Sequence, residues 1–225
     1  MHSYLHFLQA LPGTAEDYKQ WWLNDLGPRV AESGDCIGLC VNLAVSPPGT
    51  EELYRNEARV GEGYDVTVDL ICPDEGAYRR IMARYGPDLR ARTKANHGYR
   101  VELSVEKDDA EKLRGHPSSG YKIMRGFFSF DDLPDSAFRR SWDVHVELAK
   151  KVHGFARYVR YFVVEPVTEG APAIRGATNL HFATARDAVE RYFRIPGGRE
   201  MIAHDTRHFI DRGLARVFTR EYRLK

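Results

Sequence analysis

The hydrophobic pattern changes along the chain from short apolar runs, typical of strands, to apolar positions three or four residues apart, typical of amphipathic helices. In the first half these segments predict the order β-α-β-β-α-β. The predicted segments are the strand Ser3 to Leu11, a helix beginning at Ala15, the strands Ile37 to Val45 and Tyr64 to Cys72, the helix Asp74 to Asn96 and the strand Tyr99 to Val105. The two middle strands are separated by a polar connection, Ser46 to Gly63.

The same order begins again after a charged stretch that we interpret as a linker. The second set comprises the strand Tyr121 to Phe130, a helix from Asp135 to about Val152, the strands Arg157 to Glu165 and Ala177 to Ala183, a helix from Ala185 to about Asp211 interrupted at Pro196, and the strand Leu214 to Arg223. Trp22 and Trp142 occupy corresponding helices. We therefore predict two repeats, residues 1–107 and 120–225, joined by a linker at 108–119.

A β-α-β-β-α-β unit predicts the ferredoxin-like arrangement, in which two helices cover one face of a four-stranded antiparallel sheet. The predicted strands IGLCVNLAV and YVRYFVV are apolar on both sides, which indicates that the second face is buried as well. Two copies in one chain can bury both open faces by packing sheet against sheet. We predict an α+β protein built from two ferredoxin-like repeats.

Composition and charge narrow the classes of partner. The 225 residues are 43% hydrophobic, and 33 Lys and Arg against 32 Asp and Glu give a net charge of +1. Without a strong positive field we expect neither nucleic acid nor an anionic membrane as partner. The sequence contains no apolar run of about 18 residues, so we predict no membrane span. The first residues do not resemble a signal peptide. The three cysteines lack the spacing of a disulfide framework, which is typical of a protein in the reducing cytoplasm.

His145 is the first candidate for chemistry. It shares one predicted helix face with Phe138, Trp142, Ala149 and Val152. An imidazole on an apolar face loses water and tends to be neutral, which makes it a usable general base. The alternative is a core histidine hydrogen-bonded to a backbone carbonyl.

Tyr158, Arg160 and Phe162 share one face of a predicted strand. Tyr158 could donate a hydrogen bond to an oxyanion or a phenol oxygen, or it could be an aromatic spacer whose hydroxyl finds a partner at the edge of the core. Arg160 could bind an acidic substrate, and a salt bridge between subunits is an equal alternative.

Asn179, His181 and Ala183 share a face of the next predicted strand, whereas the corresponding residues of the first half are apolar: Val68, Leu70 and Cys72. Buried polar groups cost free energy unless they are hydrogen-bonded. This asymmetry predicts a polar pocket in the second half only. The alternative is that Asn179 and His181 satisfy a buried loop.

His204 and His208 are four residues apart, so both rings lie on one helix face as a zinc pair would require. No third ligand is indicated, and we predict no metal site.

One spacing pattern joins several of these residues. An aromatic residue precedes a His by three, a Gly-aromatic turn leads to a Tyr, and a later Asp precedes a Phe by four. The residues that carry it are Trp142, His145, Gly154, Phe155, Tyr158, Asp205 and Phe209. This pattern resembles the EthD-like dimeric α+β barrel family, although the chain has His153 where the family has Pro. The resemblance implies that the two repeats form an intramolecular dimeric α+β barrel, and it points to the catabolism of aromatic or hydrophobic compounds. Because Asp205 matches the Asp of the family pattern, it could accept a hydrogen bond from a His or orient it; the alternative is a salt bridge at a helix end.

These observations lead to one functional hypothesis. We predict a cofactor-independent lyase or isomerase that acts on an apolar, aromatic, hydroxylated compound in the cytoplasm. His145 would transfer a proton, Tyr158 and His181 would stabilise negative charge on oxygen, and Trp142 would form a wall of the pocket. The other residues assigned to substrate binding are Asn179, Arg160 and Asp205.

Three questions stay open in this hypothesis. The chain could be a non-catalytic ligand-binding or accessory protein of an aromatic-oxidation pathway. It could also be a haem or oxygenase-type barrel, because the resemblance includes barrels that host haem. Association of two chains into a homodimer is a further expectation.

Overall fold

The computed structural model describes residues 1–47, 49–50, 59–60 and 63–225. Its strands are β1 (His2–Ala10), β2 (Gly38–Ala44), β3 (Arg59–Val60), β4 (Val66–Cys72), β5 (Thr93–Asp108), β6 (Tyr121–Phe128), β7 (Arg157–Pro166), β8 (Gly176–Phe182), β9 (Arg212–Leu214) and β10 (Val217–Arg223). Its helices are α1 (Ala15–Trp21), α2 (Gly27–Glu32), α3 (Glu75–Arg92), α4 (Asp135–Val152), α5 (Ala185–Glu190) and α6 (Gly198–Thr206), and a π-helical segment, Trp22–Leu26, joins α1 to α2. Most of the predicted connection Ser46 to Gly63 lies outside the described residues.

Eight of these strands close into an antiparallel barrel. The order around the barrel is β10-β2-β4-β1-β5-β7-β8-β6, and β6 pairs with β10 to complete the circle. β9 pairs with β6 beside the barrel, and β3 pairs with β9 in parallel. The prediction of a protein that combines helices with antiparallel strands is therefore confirmed. No helix within the described residues is long and apolar enough to cross a membrane.

The two halves of the chain meet at strand edges. β5 from the first half pairs with β7 from the second, and β10 from the second half pairs with β2 from the first. The expectation that two sheets pack face to face is thus corrected. Joining the edges satisfies the backbone groups that an open sheet would expose, and it turns the second face of each half into the interior of a barrel.

Helix ends follow local sequence only in part. Asp74 begins α3 as expected, because its carboxylate accepts a hydrogen bond from the amide nitrogen of Ala77 at 2.7 Å. The interruption predicted at Pro196 is confirmed, because residues 185–211 contain two short helices, α5 and α6, although these end earlier than predicted, at Glu190 and Thr206. Gly197 lies between them with φ at 72°, a left-handed conformation that a right-handed helix cannot continue through.

Alternate residues of each barrel strand face the interior and the helices. Leu5 and Phe7 of β1 join an apolar cluster inside the barrel, whereas Tyr4 and Leu8 pack beneath the helices of the first half. Each strand therefore contributes to two cores, which explains why the strands read as apolar on both sides.

The side chains of Asn179 and His181 point into the barrel. Asn179 lies opposite Met124 in the β6–β8 pairing, and Met124 belongs to the interior cluster. The next residue, Leu180, packs on the helix side together with Tyr158. The polar pair therefore lies on the opposite face of the sheet from the helices.

The corresponding residues of the first half also differ from the expectation. Val68 and Leu70 pack on the helix side, so the alignment used above was shifted by one residue, and such a shift exchanges the two faces of a strand. The interior residues of β4 are Thr67, which donates to the sulfur of Met124 at 2.8 Å, and Asp69. The predicted asymmetry is thus corrected, because both halves contribute polar groups to the barrel interior.

Candidate active site

A cavity of about 340 Å³ lies between the outer face of the sheet in the second half and the helices α4 and α6. Apolar side chains such as Ala149, Leu180 and Ile202 form part of its wall. The ionisable residues that line it are Arg125, His145, His153, Tyr158, Tyr192, Arg199 and Arg216. A mainly apolar wall with a few convergent polar groups suits an organic ligand that carries polar substituents.

The matching space in the first half is nearly filled. Its cavity measures about 40 Å³ and is lined largely by apolar side chains that include Trp22 and Leu26. His6 lines this space, but its Nδ1 is engaged with the side-chain oxygen of Asn96 at 2.8 Å. Of these two spaces, the one in the second half offers more room for a ligand.

The amphipathic pattern of α4 turns His145 toward the larger cavity. Phe138, Trp142, Ala149 and Val152 are buried along the same face, as the three- and four-residue spacing requires. His145 keeps 7% of its surface exposed and lines the cavity. Its imidazole therefore lies on the apolar helix face, as the spacing of the apolar residues predicts.

His145 and Asp205 form a hydrogen-bonded pair. The Nδ1 atom of His145 lies 2.6 Å from the Oδ2 atom of Asp205 on α6. Because a carboxylate accepts, the proton is on Nδ1 and the lone pair of the neutral ring is on Nε2. No described residue hydrogen-bonds to Nε2. Burial lowers the pKa of His145, and Asp205 offsets this only in part, so the ring is neutral near pH 7.

Tyr158 lines the same cavity from β7. Its oxygen accepts a hydrogen bond from the indole nitrogen of Trp142 at 3.1 Å, which leaves the phenolic proton available for an acceptor in the cavity. Burial raises the pKa of Tyr158 above its ordinary value, so the hydroxyl stays protonated.

Trp142 does not line the cavity. It is 1% exposed and packs edge-on against Phe127 and Phe162 at ring-centroid distances of 4.7 and 4.9 Å. The expectation that Trp142 forms a wall of the pocket is therefore corrected, because its position on α4 directs the indole into the apolar core. Its contribution to the site is the hydrogen bond that orients Tyr158.

Arg160 also lies outside the cavity, and its charge is already paired. The guanidinium donates to Glu106 at 2.8 Å and to Asp143 at 2.7 Å, and it stacks on the ring of Trp142. The salt bridge expected between subunits is thus formed within the chain. An acidic substrate would have to displace two carboxylates to reach Arg160, so the structure does not support its assignment to substrate binding.

His153 is a cavity residue that the sequence analysis did not assign to the site. Its Nδ1 donates to the backbone carbonyl of Tyr192, and the ring packs against Tyr192 and Phe193. Burial lowers the pKa of His153 to about 4, which the carbonyl only partly offsets. The signal that could have found it was the departure from the family pattern, which has Pro at this position.

Arginine side chains give the cavity a basic character that the sequence analysis also missed. Arg216 donates to the hydroxyl of Tyr192 at 2.8 Å, and Arg199 stacks on the ring of Phe193 at 5.0 Å. These residues come from segments that the linear pattern did not connect, since α6 and the segment before β10 meet only in the folded chain.

The structure separates His181 and Asn179 from the cavity of His145. Inside the barrel, Nε2 of His181 donates to the backbone carbonyl of Ser119, and Asn179 donates to the hydroxyl of Tyr161 at 3.4 Å. The assignment of all these residues to one site is corrected, because they occupy opposite faces of one sheet.

His204 and His208 lie together on the surface of the α6 region, with ring centroids 5.6 Å apart. Within the described residues, no group of three or more His, Cys, Asp or Glu side chains converges on a point where a metal ion would fit. Asp205 turns the other way and engages His145.

Comparison with solved structures identifies the fold. An anthrone oxidase-like protein matches 100% of the chain and 92% of its own length, with a TM-score of 0.67 and 11% identity. A monooxygenase-like protein from Fusobacterium nucleatum matches 100% and 92%, with a TM-score of 0.57 and 10% identity. The chain has the dimeric α+β barrel fold.

A chlorite dismutase variant from Candidatus Nitrospira defluvii shows the same likeness, with a TM-score of 0.55 and 11% identity over 98% of this chain and 90% of that one. At such identities the likeness concerns the fold alone. No protein-family model and no curated protein sequence matches the chain. The resemblance to the EthD-like family therefore stays a prediction within the dimeric α+β barrel fold.

Proposed function

We propose that the protein is a cofactor-independent enzyme of the lyase or isomerase type, acting on an apolar, aromatic compound that carries hydroxyl groups. One observation carries this proposal: a neutral His145, oriented by Asp205, shares a 340 Å³ cavity with the protonated hydroxyl of Tyr158. A base and a hydrogen-bond donor at one cavity are the parts that proton transfer next to an oxygen requires.

In this proposal His145 and Tyr158 have complementary roles. Nε2 of His145 accepts a proton from a substrate hydroxyl or from a carbon next to a carbonyl group. The Asp205 carboxylate stabilises the imidazolium that forms, as the partner of a catalytic histidine does. Tyr158 donates a hydrogen bond to the oxygen on which negative charge develops, and the apolar wall holds the ring of the substrate.

The proposal includes the origin of the barrel. Within residues 1–108 the strand order is β2-β4-β1-β5, and within residues 121–223 it is β7-β8-β6-β10. When the four barrel strands of each half are numbered in chain order, both halves have the order 2-3-1-4. This supports two ferredoxin-like repeats joined at 108–119, of which the second keeps the open cavity. A homodimer of such chains stays a prediction.

The test compares His145→Gln with His204→Gln, a matched substitution at an exposed histidine. Phenols, naphthols and polycyclic hydroxylated aromatics are screened for binding by protein fluorescence, and bound compounds are then followed for turnover without added cofactor. We expect His145→Gln to lose turnover and keep ligand affinity, and His204→Gln to resemble wild type. Equal loss of affinity and turnover in His145→Gln would instead identify a ligand-binding protein.

A second candidate function is supported by the same imidazole. A histidine whose Nδ1 is held by a carboxylate and whose ring lines a cavity could also hold haem iron. Haem would then supply redox chemistry, and His145 would hold it. Titration with haemin should give a Soret band in wild type that is altered in His145→Ala; a spectrum that is the same in both proteins removes this candidate.

A further inference from the structure

A second cavity, of about 190 Å³, lies at one end of the barrel interior. It shares no lining residue with the 340 Å³ cavity, because the sheet separates the two. Charged side chains line its inner end: Asp69, Lys122, Arg157 and Glu221. Further cations, including Lys112 and Arg223, surround its mouth. Burying so many charges is costly unless their hydrogen bonds are completed.

The acceptors of Asp69 are occupied. Its Oδ1 atom accepts from the hydroxyl of Tyr161 at 2.6 Å, and its Oδ2 atom accepts from the side-chain amide of Asn42 at 2.9 Å. Each carboxylate oxygen therefore already has a donor.

Glu221 is held by a hydrogen bond and an ion pair. One of its oxygens accepts from the hydroxyl of Ser118 at 3.0 Å, and the other contacts the ammonium group of Lys122. Burial alone would raise the pKa of Glu221, but Lys122 outweighs it and lowers the value to about 2. The carboxylate is thus ionised, and it is paired with a cation that is itself 1% exposed.

Lys122 has a donor to spare. An ammonium group has three N–H donors, and those of Lys122 reach Glu221 and the side-chain oxygen of Asn42, the latter at 2.8 Å. The next carboxylate oxygen, from Asp69, is 3.6 Å away, which exceeds hydrogen-bond length.

Arg157 has a larger surplus. Its guanidinium lies at ion-pair distance from Asp108, at 3.2 Å, and from Glu221, at 3.5 Å. The contact with Asp108 is made by the buried Nε atom, which faces that carboxylate but is not aligned for a hydrogen bond with it or with any other described residue. At the mouth, Arg223 is exposed and forms no ion pair with any residue that the structure describes. The lining of the cavity therefore has an excess of positive charge: it contains Lys112, Lys122, Arg157, Arg223 and Lys225 against two carboxylates, Asp69 and Glu221.

We propose that this end of the barrel binds a small oxyanion, a carboxylate or a phosphate group, between Arg157 and Arg223 with Lys122 behind it. An oxyanion supplies several acceptors in the geometry that a guanidinium group matches. Asp108 and Glu221 lie at ion-pair distance from Arg157, and an oxyanion in the cavity that Arg157 lines would supply further acceptors to its guanidinium group.

The test titrates the purified protein with sodium phosphate and with sodium acetate, while chloride keeps the ionic strength constant. Binding is followed by the NMR signals of the arginine Nε–H groups. We expect a saturable shift of the Arg157 signal, and the anion that saturates at lower concentration identifies the class of oxyanion. Arg157→Gln should weaken binding about tenfold or more, since it removes charge-assisted hydrogen bonds.

Two further variants keep the test decisive. Arg223→Gln, at an exposed position, should also weaken binding and does not disturb the buried ion pairs, so it serves if Arg157→Gln fails to fold. Arg212→Gln, an arginine outside this cavity, should bind as wild type does. The proposal is overturned if neither anion gives a saturable shift, or if Arg223→Gln and Arg212→Gln bind the anions equally well.

Discussion

Protonation of His153 should make the protein less stable as the pH falls below neutrality. The imidazole is buried against Tyr192 and Phe193, and this burial lowers its pKa to about 4. A histidine in the unfolded chain titrates near 6.5. The unfolded state therefore binds the proton first. Stability from this residue is fully present above the unfolded pKa and is lost as the pH falls toward the folded pKa.

The magnitude follows from the two pKa values. At pH 5 the unfolded chain is almost fully protonated at His153 and the native protein is not, which costs about 2 kcal/mol of unfolding free energy relative to pH 7.5. His153→Gln removes the titration and can still donate to the carbonyl of Tyr192. The variant should therefore lose about 2 kcal/mol less than wild type between these pH values.

Urea unfolding of both proteins at pH 7.5 and pH 5 measures this difference. Other histidines and carboxylates titrate over the same range, but they are common to both proteins and cancel in the comparison. His116→Gln is the matched control, because His116 is exposed and its replacement should leave the pH dependence unchanged. Equal losses of stability in wild type and His153→Gln would refute the reasoning.

Three further substitutions test contacts around the site. Asp205→Asn should lower the pKa of His145 further, because the carboxylate opposes the effect of burial; NMR titration of the imidazole measures it, and an unchanged or higher pKa would contradict the pairing. Tyr158→Phe should destabilise the protein by about 1–3 kcal/mol in urea, since the indole N–H of Trp142 loses its acceptor while buried; unchanged stability would show that the contact contributes nothing. Gly176→Ala should cost about 1–3 kcal/mol or more, because the new Cβ would lie 2.5 Å from the Trp142 ring; a thermal melt like that of wild type would mean that the ring moves aside freely.

The order of strands and helices could be predicted from periodicity because each element has its own local pattern. The way in which the halves join could not, since strand pairing between β5 and β7 or between β10 and β2 is set by contacts between distant segments. The alignment of Asn179 with Val68 was wrong for a related reason. Aligning two repeats of low identity leaves an uncertainty of one residue, and one residue is enough to exchange the faces of a strand.

The site shows the same division between local and distant information. His145 lies on an amphipathic helix, so its burial follows from the positions of its neighbours in sequence. Its partner Asp205 is 60 positions away and was found only through the family resemblance. Lys122 was not found, because a lysine among apolar strand residues gives no sign that Asn42 and Glu221 meet it inside the barrel.

The barrel is closed by β10, the last of its eight strands in chain order. β10 bridges β2, from the beginning of the chain, and β6, from the middle. Until residues 217–223 have left the ribosome, β2 and β6 each keep an uncovered edge and the charged groups near Lys122 lack Glu221. Before that point the nascent chain exposes two unpaired strand edges, so chains that terminate early should be insoluble. Folding should be slow because its final contacts join distant parts of the polypeptide.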